Sequence, residues 1–236
     1  MLSIGAKRGR RQAGVTLVEL LVSMIILSII STMVIVVWFA LQSSYAQSAN
    51  ANDTRSAARD ALNRVASEIR DAQPQTITTP AQAPFAMAGP TEVDFYSSYN
   101  QPGTAANGSG TGTLRLTRVY LDTSGTSPYK TLYWQRDTNN NGTWDSGDRL
   151  IVLATNVVNN SIANTAVTPN TSYTAIFTYG YRDSNGNFTS ADTISAANLT
   201  SIISVNIRLI VDTNLNHTPT RADLQITVRP RNAPQS

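Results

Sequence analysis

The chain changes its hydrophobic period twice. Residues 15–42 (VTLVELLVSMIILSIISTMVIVVWFALQ) are apolar almost without a break and carry one charge, Glu19. A helix of roughly 26 residues rising about 1.5 Å each spans about 39 Å, enough for a hydrocarbon core of about 30 Å. Over 43–73 the pattern turns amphipathic: Ala58, Leu62, Val65 and Ile69 recur at helical spacing and form one apolar stripe. Asp60 and Arg64, then Arg64 and Glu68, stand one helical turn apart, a spacing that supports an exposed face by ion pairing. No Gly or Pro interrupts 15–73, and Pro74 ends the run. The pattern predicts one helix of more than 50 residues, membrane-spanning in its first half.

After Pro74 the period becomes that of strands. Residues 74–90 carry four prolines and read as a connection. Strands are predicted near 92–96, 113–121, 130–136, 149–155, 173–182, 201–211 and 223–229, all rich in Val, Ile, Thr, Tyr and Leu, with turn residues between them. The stretch 97–113 (SSYNQPGTAANGSGTGT) has the composition of a flexible loop. An amphipathic helix needs a partner for its stripe, and one face of an antiparallel sheet supplies it. The expected fold is therefore α+β, a long N-terminal helix packed on an antiparallel β-sheet C-terminal domain. The expected organisation is a basic leader at 1–14, a membrane-spanning helix at 15–42, its amphipathic continuation at 43–73 and an extracytoplasmic β-rich domain at 74–236.

Charge and composition sharpen this picture. Lys7, Arg8, Arg10 and Arg11 account for more than the whole net charge of +3, because the remaining 14 basic and 15 acidic residues sum to −1. The basic character belongs to the leader, so the chain as a whole offers no case for a specific nucleic-acid partner. Those four charges place the N-terminus of the apolar helix on the cytoplasmic side. The apolar run exceeds the roughly 7–15 residues of an ordinary secretory signal. There is no cysteine, so disulfides, thiolate metal sites and cysteine nucleophiles are excluded.

The segment Gly14-Val15-Thr16-Leu17-Val18-Glu19-Leu20-Leu21-Val22 resembles the processing motif of type IV prepilins and type II secretion pseudopilins. The resemblance implies a pilin-like fold, cleavage between Gly14 and Val15 by a prepilin peptidase, and methylation of the new amine of Val15 by the same enzyme. It departs from the family in carrying Val15 where Phe is usual, and in lacking the proline often found in the membrane helix. Physical chemistry agrees with the motif. Glycine lets an extended backbone enter a protease site without a side chain. An acid in an apolar helix costs up to about 2.5–3.5 kcal/mol at mid-membrane, so Glu19 is expected to find a partner, the nearest being the amine freed at Val15. Glu19 is accordingly the residue expected to act in assembly.

Two further stretches, Asn156-Val157-Val158-Asn159 and Phe177-Thr178-Tyr179-Gly180-Tyr181-Arg182-Asp183-Ser184-Asn185-Gly186, resemble W-type minor pilins and J-type minor pseudopilins, as does Val228-Arg229-Pro230-Arg231-Asn232. The resemblance implies a structural subunit that primes or caps a type IV pilus-like filament. Its implied partners are other minor and major pilins and an inner-membrane assembly platform. Its implied location is the bacterial inner membrane in a single pass, then the filament. Two alternatives stay open: a filament-borne binding module such as an adhesin, and a single-span anchored calcium-binding domain.

Calcium enters through residues 137–148. Asp137, Asn139, Asn141, the carbonyl of Thr143, Asp145 and Asp148 follow the alternating spacing of a Ca²⁺ loop, with Gly142 at the sharp turn and Asp in place of the usual closing Glu. One Ca²⁺ is the expected cofactor. An Asn-Gly hairpin turn at Asn141-Gly142 is the simpler reading, but it leaves the three acids unexplained. A second stretch from Asp212 through Asn214 and Asn216 to Asp223 places His217 where glycine belongs and reads as a hairpin loop. His217 is the only histidine, and neither a nucleophile elbow nor a phosphate-binding glycine loop is present, so no enzyme is expected. Tyr129, Tyr133 and Trp134 read as strand aromatics in a core rather than a sugar-stacking surface.

Overall fold

The computed structural model describes residues 15–74, 83–98, 114–161, 173–213 and 221–231. The leader 1–14 with Gly14, most of the loop 97–113 and the region around His217 lie outside the described residues. Chain contacts divide the protein into two compact units, one up to Ala49 and one from Asn50.

In the first unit, helix α1 (Leu17–Arg70) carries large apolar side chains that are exposed all round, from Leu17 to Tyr45. Its length and composition suffice to cross a membrane. Three of its hydroxyls bond within the helix. Ser23 donates to the carbonyl of Glu19 (2.7 Å), Ser28 to that of Ile25 (2.7 Å) and Thr32 to that of Ser28 (2.8 Å), so each is satisfied by its own helix.

In the second unit, α1 gains a buried face. Ala58, Leu62, Val65 and Ile69 are all buried, as the stripe predicts, with Ala61 and Ala66 beside them. They pack on a nine-stranded antiparallel sheet of β1 (Phe85–Ala88), β2 (Glu92–Ser97), β3 (Arg115–Asp122), β4 (Lys130–Arg136), β5 (Arg149–Val157), β6 (Phe177–Arg182), β7 (Phe188–Ala191), β8 (Ile202–Val211) and β9 (Ala222–Val228). The order is β1-β2-β3-β4-β5-β8-β6-β7, with β9 on the other edge of β8. The inner face brings Val93, Phe95, Val119, Leu121, Leu132 and Trp134 into one cluster with the helix.

Seven strands fall where the sequence predicts them. The strand expected at 173–182 begins only at Phe177. β1 and β7, of four residues each, have no alternating pattern long enough to stand out, and β1 occupies part of the stretch read as a connection. The residues that resemble minor pilins hold this sheet together. Asn159 is buried and donates to the carbonyl of Arg208 (2.8 Å) while accepting the N–H of Ile210 (2.7 Å). Gly180 leaves room for its neighbours, because a Cβ there would lie 2.5 Å from Ser204 Oγ and 2.8 Å from the Phe188 ring, and both side chains would have to shift. The N–H of Arg231 donates to the carbonyl of Arg70 (2.9 Å), which satisfies an orphan group at the end of α1.

One expectation is overturned. Glu68 does not lie on an exposed face paired with Arg64. It is 1% exposed and accepts from the Arg136 guanidinium of β4 at 2.6 Å. Arg136 also donates to Thr117 Oγ1 (3.1 Å). Burial outweighs pairing for both groups: it raises the Glu68 carboxyl, against the pull of Arg136 and Arg64, and it lowers the Arg136 guanidinium. Removing one member of such a pair strands the other charge out of water, at about 3–5 kcal/mol. A fragment from residue 43 onward keeps the whole core. In that fragment Glu68→Ala is expected to lower unfolding stability by that amount in urea titrations. Replacing both partners, as Glu68→Leu with Arg136→Met, is expected to recover most of the loss.

Candidate functional site

Thr16 and Glu19 together start α1. The Thr16 hydroxyl accepts the N–H of Glu19 (3.2 Å), and its carbonyl accepts the N–H of Leu20 (3.1 Å). Thr16-Leu17-Val18-Glu19 is thus a T-x-x-E helix start, with an acid in the first turn where the helix dipole favours it. The sequence reading assigned Glu19 to assembly and missed this local role, although the T-x-x-E spacing signals it. Val15 stands just before the helix and is 70% exposed.

The loop 137–148 joins β4 to β5 and turns sharply through Asn140 (φ 60°) and Gly142 (φ 74°). Hydrogen bonds within the loop close it. The buried carboxylate of Asp137 accepts the N–H of Asn140 (2.6 Å) and of Gly142 (2.7 Å). Asp148 accepts from the N–H of Thr138 (3.1 Å) and of Asp145 (3.0 Å). The amides of Asn139 and Asn141 both donate to Asp145 Oδ2, at 2.9 and 3.0 Å. Among the described residues no three acidic or histidine side chains are placed to hold a metal ion. The donor chemistry is that of a hard cation, but the two asparagines present nitrogen to Asp145, and their amides have to turn over before their oxygens can converge on an ion.

The loop is fastened to the outer face of the sheet by Trp144. Its ring lies 4.7 Å from the Arg118 guanidinium carbon. Arg118 is fixed by Glu92 (3.2 Å) and Gln135 (2.7 Å) and stacks over Tyr120 at 4.3 Å, and Tyr120 in turn stacks on Tyr133. The sequence reading grouped Tyr133 with Trp134, but register separates them: Trp134 is in the core and Tyr133 is on the opposite face. No pattern in the sequence marks Asp94, which pairs with Arg118 only through strand register.

Residues 9–35 match the family model described as the prokaryotic N-terminal methylation motif. No curated protein matches the chain. The motif supports a type IV pilin-like or pseudopilin-like protein and points to a structural subunit rather than an enzyme. It implies processing by a prepilin peptidase and assembly with other pilins, and with the apolar helix it fits a single-pass membrane anchor.

Asp94 gives the outer face a pH response. Burial pushes its carboxyl up to about 7, Glu92 adds to the rise, and Arg118 and the Trp144 N–H oppose it. In the unfolded chain an Asp titrates near about 3.9. Between these values the folded protein holds more protons, so stability is greatest below the unfolded value and is lost as pH rises through about 7. The 43–236 fragment is expected to melt at a higher temperature at pH 5 than at pH 8. In Asp94→Asn that difference is expected to shrink clearly, as read by circular dichroism melts in matched buffers.

Proposed function

We propose that this chain is a minor pilin or pseudopilin of the W/J type, a subunit that primes or caps assembly of a type IV pilus-like filament. The observation that carries the proposal is the methylation-motif match placed on a helix that is apolar all round from Leu17 to Tyr45. A helix of that kind is stable in lipid or among other helices, and not in water. Glu19 is the only charge in it and supplies the polar contact for a neighbouring subunit or for the amine at Val15. An inner-membrane assembly platform would receive the processed chain, with the N-terminus cytoplasmic and the domain from residue 74 outside. The likeness of residues 156–159, 177–186 and 228–232 to minor subunits supports the branch.

Processing tests the reading directly. Mass spectrometry of the membrane-extracted protein is expected to find a mature N-terminus at Val15 carrying one methyl group. An intact Met1, or a cut near Ala46–Ala49, contradicts it. In the same strain Glu19→Ala is expected to leave insertion and cleavage intact and to reduce co-purification of partner pilins.

We further propose that Ca²⁺ binds the loop 137–148 by turning the Asn139 and Asn141 amides away from Asp145. The carboxylates of Asp137, Asp145 and Asp148 would hold the ion with the two amide oxygens and the carbonyl of Thr143. Extracellular sites of this kind bind at about 10⁻⁴–10⁻³ M. At 100-fold excess over the dissociation constant such binding adds about 2.7 kcal/mol to the folded state. The 43–236 fragment is expected to melt at a clearly higher temperature in millimolar Ca²⁺ than in chelator, with Mg²⁺ a poor substitute. The pair Asp137→Ala and Asp148→Ala is expected to remove that difference. A wild-type melt indifferent to Ca²⁺ leaves the loop a hydrogen-bonded hairpin.

A further inference from the structure

Three arginines meet at one end of the inner face. Arg136 of β4 and Arg149 of β5 are direct cross-strand partners, and Arg64 comes from α1. All three surround the Trp134 ring: the guanidinium carbons of Arg64 and Arg136 each lie 4.8 Å from its centroid, and that of Arg149 lies 6.0 Å away. Like charges directly opposite in a sheet destabilise it. A cluster of this kind calls for counter-charge.

The protein supplies less than the cluster needs. Glu68 is bonded to Arg136. Asp71, the other acid that acts on Arg136, accepts from the backbone N–H (3.2 Å) and hydroxyl (3.1 Å) of Ser98. All 15 acidic side chains of the chain are among the described residues, yet none of these side-chain carboxylates lies within 4.0 Å of Arg64 or Arg149. Burial is the main force lowering the Arg136 guanidinium, but Arg64 and Arg149 push it the same way. Hydrogen-bond acceptors are also short here, since the buried Nε1–H of Trp134 has no partner. The cluster is open to solvent on one side, because Arg149 is exposed and Arg64 half-buried.

We propose that Arg64 and Arg149, backed by Arg136 and Trp134, form a binding site for a small oxyanion: a carboxylate, sulfate or phosphate group. Each guanidinium offers a planar fork of donors that matches such a group, and a bridging anion turns the Arg64–Arg149 repulsion into two attractions. The group is either a free ion or the acidic side chain of another subunit, and both share this chemistry.

The test uses the full chain in neutral detergent, with Trp38→Phe and Trp144→Phe so that emission reports Trp134 alone. Sulfate, phosphate and succinate are titrated at millimolar concentrations against chloride of equal ionic strength. The expected result is a saturable change in Trp134 emission and a rise in melting temperature with at least one oxyanion, both absent with chloride. Saturation with succinate and not phosphate assigns the site to carboxylates, as from a neighbouring subunit. The reverse assigns it to free inorganic anions. Arg149→Ala and Arg64→Ala are each expected to weaken the apparent affinity at least tenfold. Without added oxyanion, Arg149→Ala is expected to melt at the same temperature as the parent or higher, since truncation relieves repulsion. A response that is not saturable, one that is equal in parent and variants, or an Arg149→Ala protein that melts lower in chloride overturns the proposal.

Discussion

The stripe of Ala58, Leu62, Val65 and Ile69 can leave water only against a surface of matching width, and the inner face of the sheet is that surface. Alanines at 58, 61 and 66 keep the helix side of the contact shallow, so that the large partners come from the sheet, chiefly Phe95, Trp134, Tyr179 and Phe177. Much else in the second unit follows from holding that contact in register. The end of α1 is tied to β2 by the N–H of Gln73 donating to the carbonyl of Tyr96, and by Asp71 accepting from Ser98. The same contact forces Glu68 inside, and a buried acid demands a cation, which β4 provides in Arg136.

The two faces of the sheet solve different problems. The inner face carries the core and, at one end, concentrated charge around Trp134. On the outer face the guanidinium of Arg118 holds the rings of Tyr120 and Trp144, and Tyr133 stacks on Tyr120. This second arrangement matters to the loop 137–148, whose ends are fixed by β4 and β5 and whose middle is pinned by Trp144. Elsewhere the fold uses a side chain where another protein would use a metal. Lys130 turns its ammonium onto the carbonyls of Thr123, Ser124 and Gly125, at 3.3, 3.0 and 2.8 Å, and closes the β3–β4 turn.

The first unit works by a simpler rule. Its large side chains from Leu17 onward are apolar and exposed, and Ser23, Ser28 and Thr32 bond their own helix. Such a surface is stable in lipid or among other helices, and Glu19 is its one charged residue. An acid placed at the first turn of a helix is where its charge is least costly and where it can still select a partner.

The long helix, its change from all-round apolar to striped, seven of the nine strands and the methylation motif were legible in the sequence, because each is set by local periodicity or by adjacent residues. β1 and β7 were not, because four residues carry too little period to be recognised and exist only through pairing with β2 and β6. The alternation of oxygen donors at 137–148 was legible, but the direction of the Asn139 and Asn141 amides was not, since it depends on where the backbone turn puts Asp145. Glu68 looked like one half of a surface pair with Arg64, because a four-residue spacing tells which side chains are neighbours and not which face the sheet will cover. Asp94 with Arg118, and Arg136 with Arg149, are neighbours only by strand register. Local pattern decided what kind of element each segment becomes, and tertiary structure decided which charges those elements bring together, because register and burial join residues far apart along the chain.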